Sequence, residues 1–278
     1  MLIARLVPAL FCVFSVLVCS GAAPAADVVY VNRGPSTDAL PAVPQGTSSG
    51  SPLLWNLTGY AGGLYVDSAR DLYVLDGGNA QVDAFHFGAQ QPFLTFPTGS
   101  RAQTLCGNGT SLYVTDDLFG ALAYSLHGEA QGSFSDPNGA LFVACAADAA
   151  GDLFLSYITS ADTRGVDEFV GGQAPPVTLF TRAGGGPIAL DAKNELVVAG
   201  GRGVRIYPPP YVRWTRAVTF TTPPLALAFS SDGTSLWAVE GRDAYGYGKY
   251  LEQRSYPAGT LLGRISTLEH PLWLTVSP

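Results

Sequence analysis

The chain has 278 residues, with 15 Lys and Arg against 22 Asp and Glu, so its formal net charge at pH 7 is −7. A negative field repels phosphate backbones and anionic lipid surfaces, and neither nucleic acid nor a bilayer surface is therefore an expected partner. Only 13% of the residues are charged while 47% are hydrophobic, a composition typical of a packed chain rather than a disordered one.

The first 26 residues have the pattern of a secretory signal peptide. Arg5 supplies a positive start, residues 6–18 form an apolar stretch of about 13 residues, and small residues at 23–25 are typical of a cleavage site. The stretch is shorter than the ~20 residues that a spanning helix needs. Val18 is bulkier than the residue that precedes a lipidated cysteine, so Cys19 is not expected to carry a lipid. We expect a secreted or periplasmic protein whose mature part, 27–278, has no transmembrane segment.

A short pattern then recurs along the chain: an apolar strand, a turn with Gly, Asp or Ser, and a second strand similar to Leu-Tyr-Val. It is clearest at residues 64–76. Steps of 43, 40, 41, 43 and 40 residues separate the equivalent positions Tyr30, Tyr73, Tyr113, Phe154, Val197 and Trp237. A period near 40 residues is typical of the blades of a β-propeller.

The copy between residues 62 and 98 predicts four antiparallel strands, at about 63–66, 72–75, 81–87 and 93–96. The last copy begins in 271–278 and continues in 27–32, so both chain ends would share one blade. The expected fold is an all-β, six-bladed propeller over residues 27–278, with four antiparallel strands per blade. The Pro/Gly/Ser-rich segment at about 41–53 is predicted to be a loop of the shared blade.

Residues 63–67 (Gly-Leu-Tyr-Val-Asp), 71–79 (Asp-Leu-Tyr-Val-Leu-Asp-Gly-Gly-Asn) and 224–233 (Pro-Leu-Ala-Leu-Ala-Phe-Ser-Ser-Asp-Gly) resemble NHL-type and YVTN-type propeller repeats. More broadly they are similar to the six-bladed superfamily that includes gluconolactonase-like enzymes. The resemblance implies either a binding platform or an enzyme, since one ring serves both. Gluconolactonase-like enzymes hold a divalent metal with ligands inside the channel. The matching positions here are Leu64, Val66, Cys106, Ile188 and Leu190, so lactonase activity is not expected.

Aligning the repeats places one residue at the end of each second strand, on one face of the predicted ring: Arg33, Asp76, Asp116, Tyr157, Gly200 and Glu240. Asp76, Asp116 and Glu240 could together bind a divalent cation, with His270 as acid or base, which gives the alternative of a metal-assisted hydrolase or lyase. The other interpretation is that each Asp accepts backbone N–H groups of its own turn. A cofactor is expected only under the enzyme alternative.

Two surface segments concentrate residue types that are typical of binding interfaces. One contains Arg205, Tyr207, Tyr211, Arg213, Trp214 and Arg216, and the other contains Tyr245, Tyr247 and Tyr250. These side chains could instead cover the outer edges of their own blades. The interpretation that we favour is an exported, non-catalytic binding or scaffold module without a cofactor, whose partner is a protein, a peptide or a glycan.

Two cysteines remain after the signal segment, Cys106 and Cys145, in the first strands of neighbouring repeats. Their positions predict side chains on the same side of the two strands. An exported chain can keep a disulfide, so the pair could be bridged. Two small buried hydrophobic side chains are the alternative, and the sequence alone leaves both open.

Overall fold

The computed structural model of the protein describes residues 28–33, 39–44, 51–54, 61–117, 120–136, 140–181, 184–241, 248–266 and 271–277. At 32–33, 39–44, 51–54, 61 and 277 it describes the backbone alone. The expected signal segment 1–26 lies outside these residues. Within them, no helix is long and apolar enough to cross a bilayer.

The described residues are almost entirely β-strand, with one 3₁₀ turn at Val170–Gly172, and the all-β prediction is confirmed. The strands are β1 (Val28–Arg33), β2 (Ala39–Pro44), β3 (Ser51–Leu54), β4 (Ala61–Val66), β5 (Leu72–Asp76), β6 (Gln81–Phe85), β7 (Leu94–Pro97), β8 (Ala102–Gly107), β9 (Ser111–Asp116), β10 (Gly120–Ser125), β11 (Ala130–Phe134), β12 (Leu141–Ala147), β13 (Leu153–Ile158), β14 (Arg164–Phe169), β15 (Val177–Thr181), β16 (Ile188–Leu190), β17 (Leu196–Gly200), β18 (Gly203–Tyr207), β19 (Arg216–Thr219), β20 (Ala226–Phe229), β21 (Ser235–Glu240), β22 (Tyr250–Ser255), β23 (Leu261–Ile265) and β24 (Pro271–Ser277).

The strands form four-stranded antiparallel sheets in a propeller arrangement, as the sequence predicts. Five sheets each use four consecutive strands, beginning at β4, β8, β12, β16 and β20. Another four-stranded sheet combines both ends of the chain in the order β24-β1-β2-β3. Five blades are thus each built from one continuous stretch of chain, whereas the prediction has six blades, with the sixth shared by the two chain ends.

The first strands of the sheets surround a central channel. β4 contacts β8, β8 contacts β12, and the contacts continue through β16 and β20 to β24, which in turn contacts β4. In this radial arrangement each sheet covers the face of its neighbour. Clusters of buried hydrophobic side chains fill the spaces between successive sheets.

The second strand of each blade is buried on both faces, because it lies between the two neighbouring sheets. Every residue of β5 and β21 is buried, which explains why these strands are continuous apolar runs rather than alternating patterns. The fourth strands lie at the rim, and β11 and β15 are mostly exposed. This gradient from channel to rim produces the repeated Leu-Tyr-Val-like segments.

Both chain ends lie side by side in one sheet. Val29 pairs with Val276, Tyr30 with Thr275, and Val31 with Leu274. Val29, Val31 and Leu274 also pack against Trp237 and Leu251 of the preceding blade. The head and tail pairing predicted from the sequence is thus present in the structure.

The predicted loop at 41–53 differs in the structure. Residues 39–44 and 51–54 form the paired strands β2 and β3, with Pro41 opposite Pro52. Pro52 lies on β3, the last strand of its sheet, where a residue that cannot donate a hydrogen bond is tolerated. Only 45–50 remain between the two strands, and they lie outside the described residues. The proline-rich composition therefore concealed two outer strands.

The turn between first and second strands is built in the same way in successive blades. A side-chain Oδ1 accepts backbone N–H groups two residues and three or four residues further along the chain, with N···O distances of 2.8–3.1 Å. The acceptors are Asp67, Asn108, Asp148 and Asp191. Ser230 has the corresponding place in the fifth blade, where its Oγ accepts the N–H of Ser235 at 2.9 Å. Asp67, Asp148 and Asp191 therefore stabilise the turns in which they lie.

Candidate functional site

The structure places the predicted end-of-strand residues on one face of the ring, which we call the upper face: the face at which the first strands begin. Asp76 lies opposite Ala61 at the start of β4, and Asp116 lies opposite Ala102 at the start of β8. Arg33 and Glu240 end β1 and β21, whereas Tyr157 is one residue before the end of β13. The side chain of Arg33 and all of His270 lie outside the described part of the chain.

Asp76 and Asp116 use their carboxylates inside the fold. Asp76 is 1% exposed and accepts the N–H groups of Gly78 at 3.1 Å and Asn79 at 3.2 Å through Oδ1, while Oδ2 accepts Asn79 Nδ2 at 3.0 Å. Asp116 is equally buried and accepts the N–H of Arg101 at 3.4 Å. A Cβ at Gly99 would lie 1.9 Å from Asp116 Oδ2, so only glycine at this position lets the loop before β8 lie this close to the Asp116 carboxylate. Asp76 matches the turn-capping interpretation, whereas Asp116 accepts an N–H group of the loop before β8 rather than one of its own turn.

Tyr157 does not present its ring at the surface. It is 5% exposed and belongs to the cluster between the second and third blades. Burial raises the pKa of its hydroxyl, and the charges of Asp167 and Asp136 raise it further. The structure places the Tyr157 ring inside the fold, because the second strand remains enclosed almost to its end, and its binding role stays a prediction.

Glu240 is the one predicted acid whose carboxylate is left without a hydrogen bond among the described residues. It is 0% exposed, and neither oxygen has a partner there. Burial is the main cause that raises the pKa of Glu240 to about 7, and the charge of Glu252 adds to it. Arg254, the nearby Tyr250 hydroxyl and Arg264 act in the opposite direction.

The neighbouring Glu252 forms ion pairs with both Arg254 and Arg264. Its Oε2 accepts Arg254 Nη2 at 2.7 Å and its Oε1 accepts Arg264 Nε at 2.8 Å, with a further bond from Arg264 Nη2. Glu252 is also 0% exposed. A buried carboxylate with two guanidinium partners is stabilised as an anion, whereas Glu240, which has no guanidinium partner among the described residues, favours the neutral form.

We expect the substitution Glu240→Gln to stabilise the protein at pH 8 and to flatten its pH dependence. The folded pKa of about 7 lies above the ordinary value of 4.5, so the free energy of unfolding falls as pH rises between these values. The loss is about 3 kcal/mol by pH 8, and glutamine, which cannot ionise, avoids it. Urea unfolding at pH 5, 6, 7 and 8 measures it, with the exposed Glu129→Gln as control. If the free energy of unfolding has the same pH dependence in Glu240→Gln and in the natural protein, the raised pKa assigned to Glu240 is contradicted.

The central channel is lined by neutral side chains from the first strands of all six sheets. Its cavity has an empty volume of about 900 Å³, including the part open to solvent. Leu64, Cys106, Ile188 and Leu190 line it as predicted, whereas Val66 packs against the cluster between β4 and β1. The wall offers no carboxylate or amide side chain, so the described residues do not fit a gluconolactonase-like metal site. Nor do those residues group three or more His, Cys, Asp or Glu side chains suitable for a metal ion.

Cys106 and Cys145 form a disulfide in the channel wall. Their Cα atoms are 5.8 Å apart, within the range that the bond requires. The bond joins β8 to β12 and thereby links the first strands of two neighbouring blades. Of the two possibilities that the sequence leaves open, the structure contains the bridged one.

The 208–215 loop joins β18 to β19 on the lower face, opposite the upper one. Tyr211 is only 7% exposed: its ring meets that of Phe154 edge-on at 5.1 Å, and its hydroxyl donates to the carbonyl of Asn194 at 3.1 Å. Tyr211 therefore lies inside the fold rather than on its surface, and its binding role stays a prediction. Its side chain fills the gap between two blades and holds the loop.

The neighbours of Tyr211 point the other way. Val212 is 78% exposed, Trp214 is 50% exposed, and Arg213 is exposed between them. The guanidinium of Arg205 lies 5.8 Å from the Trp214 ring. The sequence prediction did not include Val212. An apolar residue within a proline-rich loop is the signal that could have identified it. Tyr245 and Tyr247 of the second predicted segment lie outside the described residues.

No protein-family model and no curated protein matches the chain. Among solved structures, a chain in the crystal structure of a nidogen–laminin complex is similar, with a TM-score of 0.73 and 12% identity over 91% of this chain and 98% of that one. A protein of unknown function from Bacteroides caccae has a TM-score of 0.67 and 10% identity over 91% and 99%. At such identities the likeness concerns the fold alone, and the chain described here is a β-propeller.

Proposed function

We propose that the chain is an exported, non-catalytic six-bladed propeller that acts as a binding or scaffold module for a protein, peptide or glycan partner. In this proposal the sheet β24-β1-β2-β3 is the sixth blade. Support comes from the closed circuit of first-strand contacts, in which β24 lies between β20 and β4. The signal-like pattern of residues 1–26 supports export, and the repeats keep their resemblance to the NHL and YVTN types.

The observation that carries the binding role is the exposure of Trp214 and Val212 on a loop that the fold holds in place. Besides the Tyr211 contacts, Tyr211 N donates to Pro208 O at 2.8 Å and Thr215 N donates to Ile206 O at 2.9 Å. A fixed loop loses little conformational entropy when a partner binds. Trp and Arg are also the residue types most enriched among energetically dominant interface contacts.

The enzyme alternative has less support from the positions of its residues. Asp76 and Asp116 already hold backbone N–H groups, and Glu240 is enclosed in the fifth blade. The similar propeller in the nidogen–laminin structure comes from a complex of two proteins, which agrees with a binding role for this kind of ring. We therefore place the binding surface on the 208–215 loop.

We expect the substitution Trp214→Ala to lower the amount of partner captured by the immobilised protein at least tenfold. A central interface tryptophan contributes about 2 kcal/mol or more when truncated. The measurement is affinity capture from the native exported fraction, quantified by mass spectrometry. Phe87→Ala is the matched control, because Phe87 is 48% exposed but lies on the first blade. Equal capture by the natural protein and by Trp214→Ala would overturn the assignment of the loop.

A further inference from the structure

The surface around Trp214 has positive charges that the protein itself does not neutralise. Arg164, Arg216, Arg254 and Arg264 each form an ion pair with a carboxylate. Arg205 and Arg213, in contrast, are exposed, and neither has a carboxylate partner among the described residues. The chain as a whole has a net charge of −7. The two arginines without ion pairs, beside the exposed tryptophan, therefore form a local surface of positive charge on a negatively charged protein.

Acids lie behind the loop, on its inner side. The hydroxyl of Tyr211 donates to the carbonyl of Asn194, whose side-chain amide in turn lies 3.4 Å from Asp148 Oδ2. The charges of Glu168, Asp148, Asp152 and Asp191 add to burial in raising the pKa of Tyr211 to about 12. The loop therefore has an acidic inner side and a basic outer side, and a negatively charged partner is attracted only to the outer one.

The outer side also has apolar contact area. Val212 and Trp214 flank Arg213, so a partner that supplied negative charge alone would leave both side chains uncovered. An arginine pairs with a carboxylate through two parallel hydrogen bonds, and an indole ring takes an apolar side chain. A peptide in which acidic and apolar residues alternate matches this surface better than a sulfated glycan or a nucleic acid does.

Building on the proposed function, we propose that the partner docks on Arg205, Val212, Arg213 and Trp214 through an acidic segment with apolar side chains. Its carboxylates pair with the two guanidinium groups while an apolar side chain covers Trp214 and Val212. The position of Arg205, 5.8 Å from the Trp214 ring, brings one charge and the apolar contact to the same point. The acids behind Tyr211 repel the carboxylates of the segment from the inner side of the loop.

The test uses fluorescence anisotropy of a fluorescein-labelled heptapeptide, Glu-Leu-Glu-Phe-Glu-Leu-Glu, and of the same peptide with Gln in place of each Glu. The acidic peptide is expected to bind at least tenfold more tightly at 50 mM salt and to weaken as salt is raised to 300 mM. The double substitution Arg205→Glu with Arg213→Glu is expected to weaken binding at least tenfold, and Trp214→Ala about fivefold. Thermal unfolding verifies that both variants are folded.

The matched control is the double substitution Arg101→Glu with Arg202→Glu. Both arginines are exposed on the upper face, so the net charge of the protein changes by the same amount as in the test variant. Equal binding of the two peptides, no measurable binding of the acidic one, or an equal loss in the control variant would each overturn the proposal. Heparin or an oligonucleotide that binds as tightly as the peptide, and independently of Trp214, would assign the surface to polyanions and overturn the proposal too.

Capture of the native partner distinguishes this inference from the proposed function. If capture survives the substitution of both arginines by Glu but not Trp214→Ala, this inference fails and the proposed function stands. If capture survives both, the proposed function fails as well.

Discussion

Deletion of residues 272–278 is expected to abolish cooperative folding, or to lower the free energy of unfolding by about 5 kcal/mol or more. The deletion removes all of β24 except Pro271, and with it the pairing to β1 and the contacts to β4 and β20. Leu274 is 6% exposed, and Val29, Val31 and Trp237 would lose its cover. Each buried apolar side chain contributes about 1.5–3 kcal/mol, and a domain has only about 5–15 kcal/mol of stability in total.

Urea unfolding followed by circular dichroism measures this effect. The control shortens the connection 170–176 between β14 and β15 to three Gly/Ser residues. That connection is mostly exposed, with Val170 at 54%. It is expected to cost far less than the terminal deletion. A deletion variant that unfolds at the same urea concentration as the natural protein would show that β24 does not close the ring.

Removal of the disulfide by the double substitution Cys106→Ala and Cys145→Ala is expected to lower the free energy of unfolding by about 4 kcal/mol. The bond spans a sequence separation of 39, and its loss enlarges the set of unfolded conformations. The bond also fastens β8 to β12, so the second and third blades should lose stability together.

The same measurement is made with and without dithiothreitol. The natural protein should become as labile as the double variant when reduced, whereas the variant should not respond. An unfolding midpoint of the natural protein that reductant leaves unchanged would contradict the contribution assigned to the bond.

The repeat period and the order of strands could be predicted from the sequence because equivalent strands of different blades are buried to a similar extent. The second strand is enclosed on both faces, so it must be apolar throughout, and β5 was predicted at 72–75 against 72–76 in the structure. The pairing of β1 with β24 followed from the same pattern, cut by the chain ends. Composition, in contrast, was misleading at 41–53, where prolines suggested a loop and the structure has strands.

The roles of individual side chains could not be predicted, because they depend on neighbours distant in the sequence. Tyr211 and Trp214 are both aromatic residues of one proline-rich loop, yet only Tyr211 has the ring of Phe154 beside it. Glu240 ends its strand as Asp76 does. The shorter Asp76 reaches the N–H groups of its own turn, whereas both oxygens of Glu240 remain without hydrogen bonds among the described residues.

Ring closure is the claim on which every face and surface position depends, and native-state amide hydrogen exchange tests it most directly. The amides that form hydrogen bonds between β1 and β24 should be protected to nearly the same degree as those between β8 and β9. Exchange of the terminal strands at the rate of an unstructured peptide, while β8 and β9 stay protected, would contradict the closed propeller.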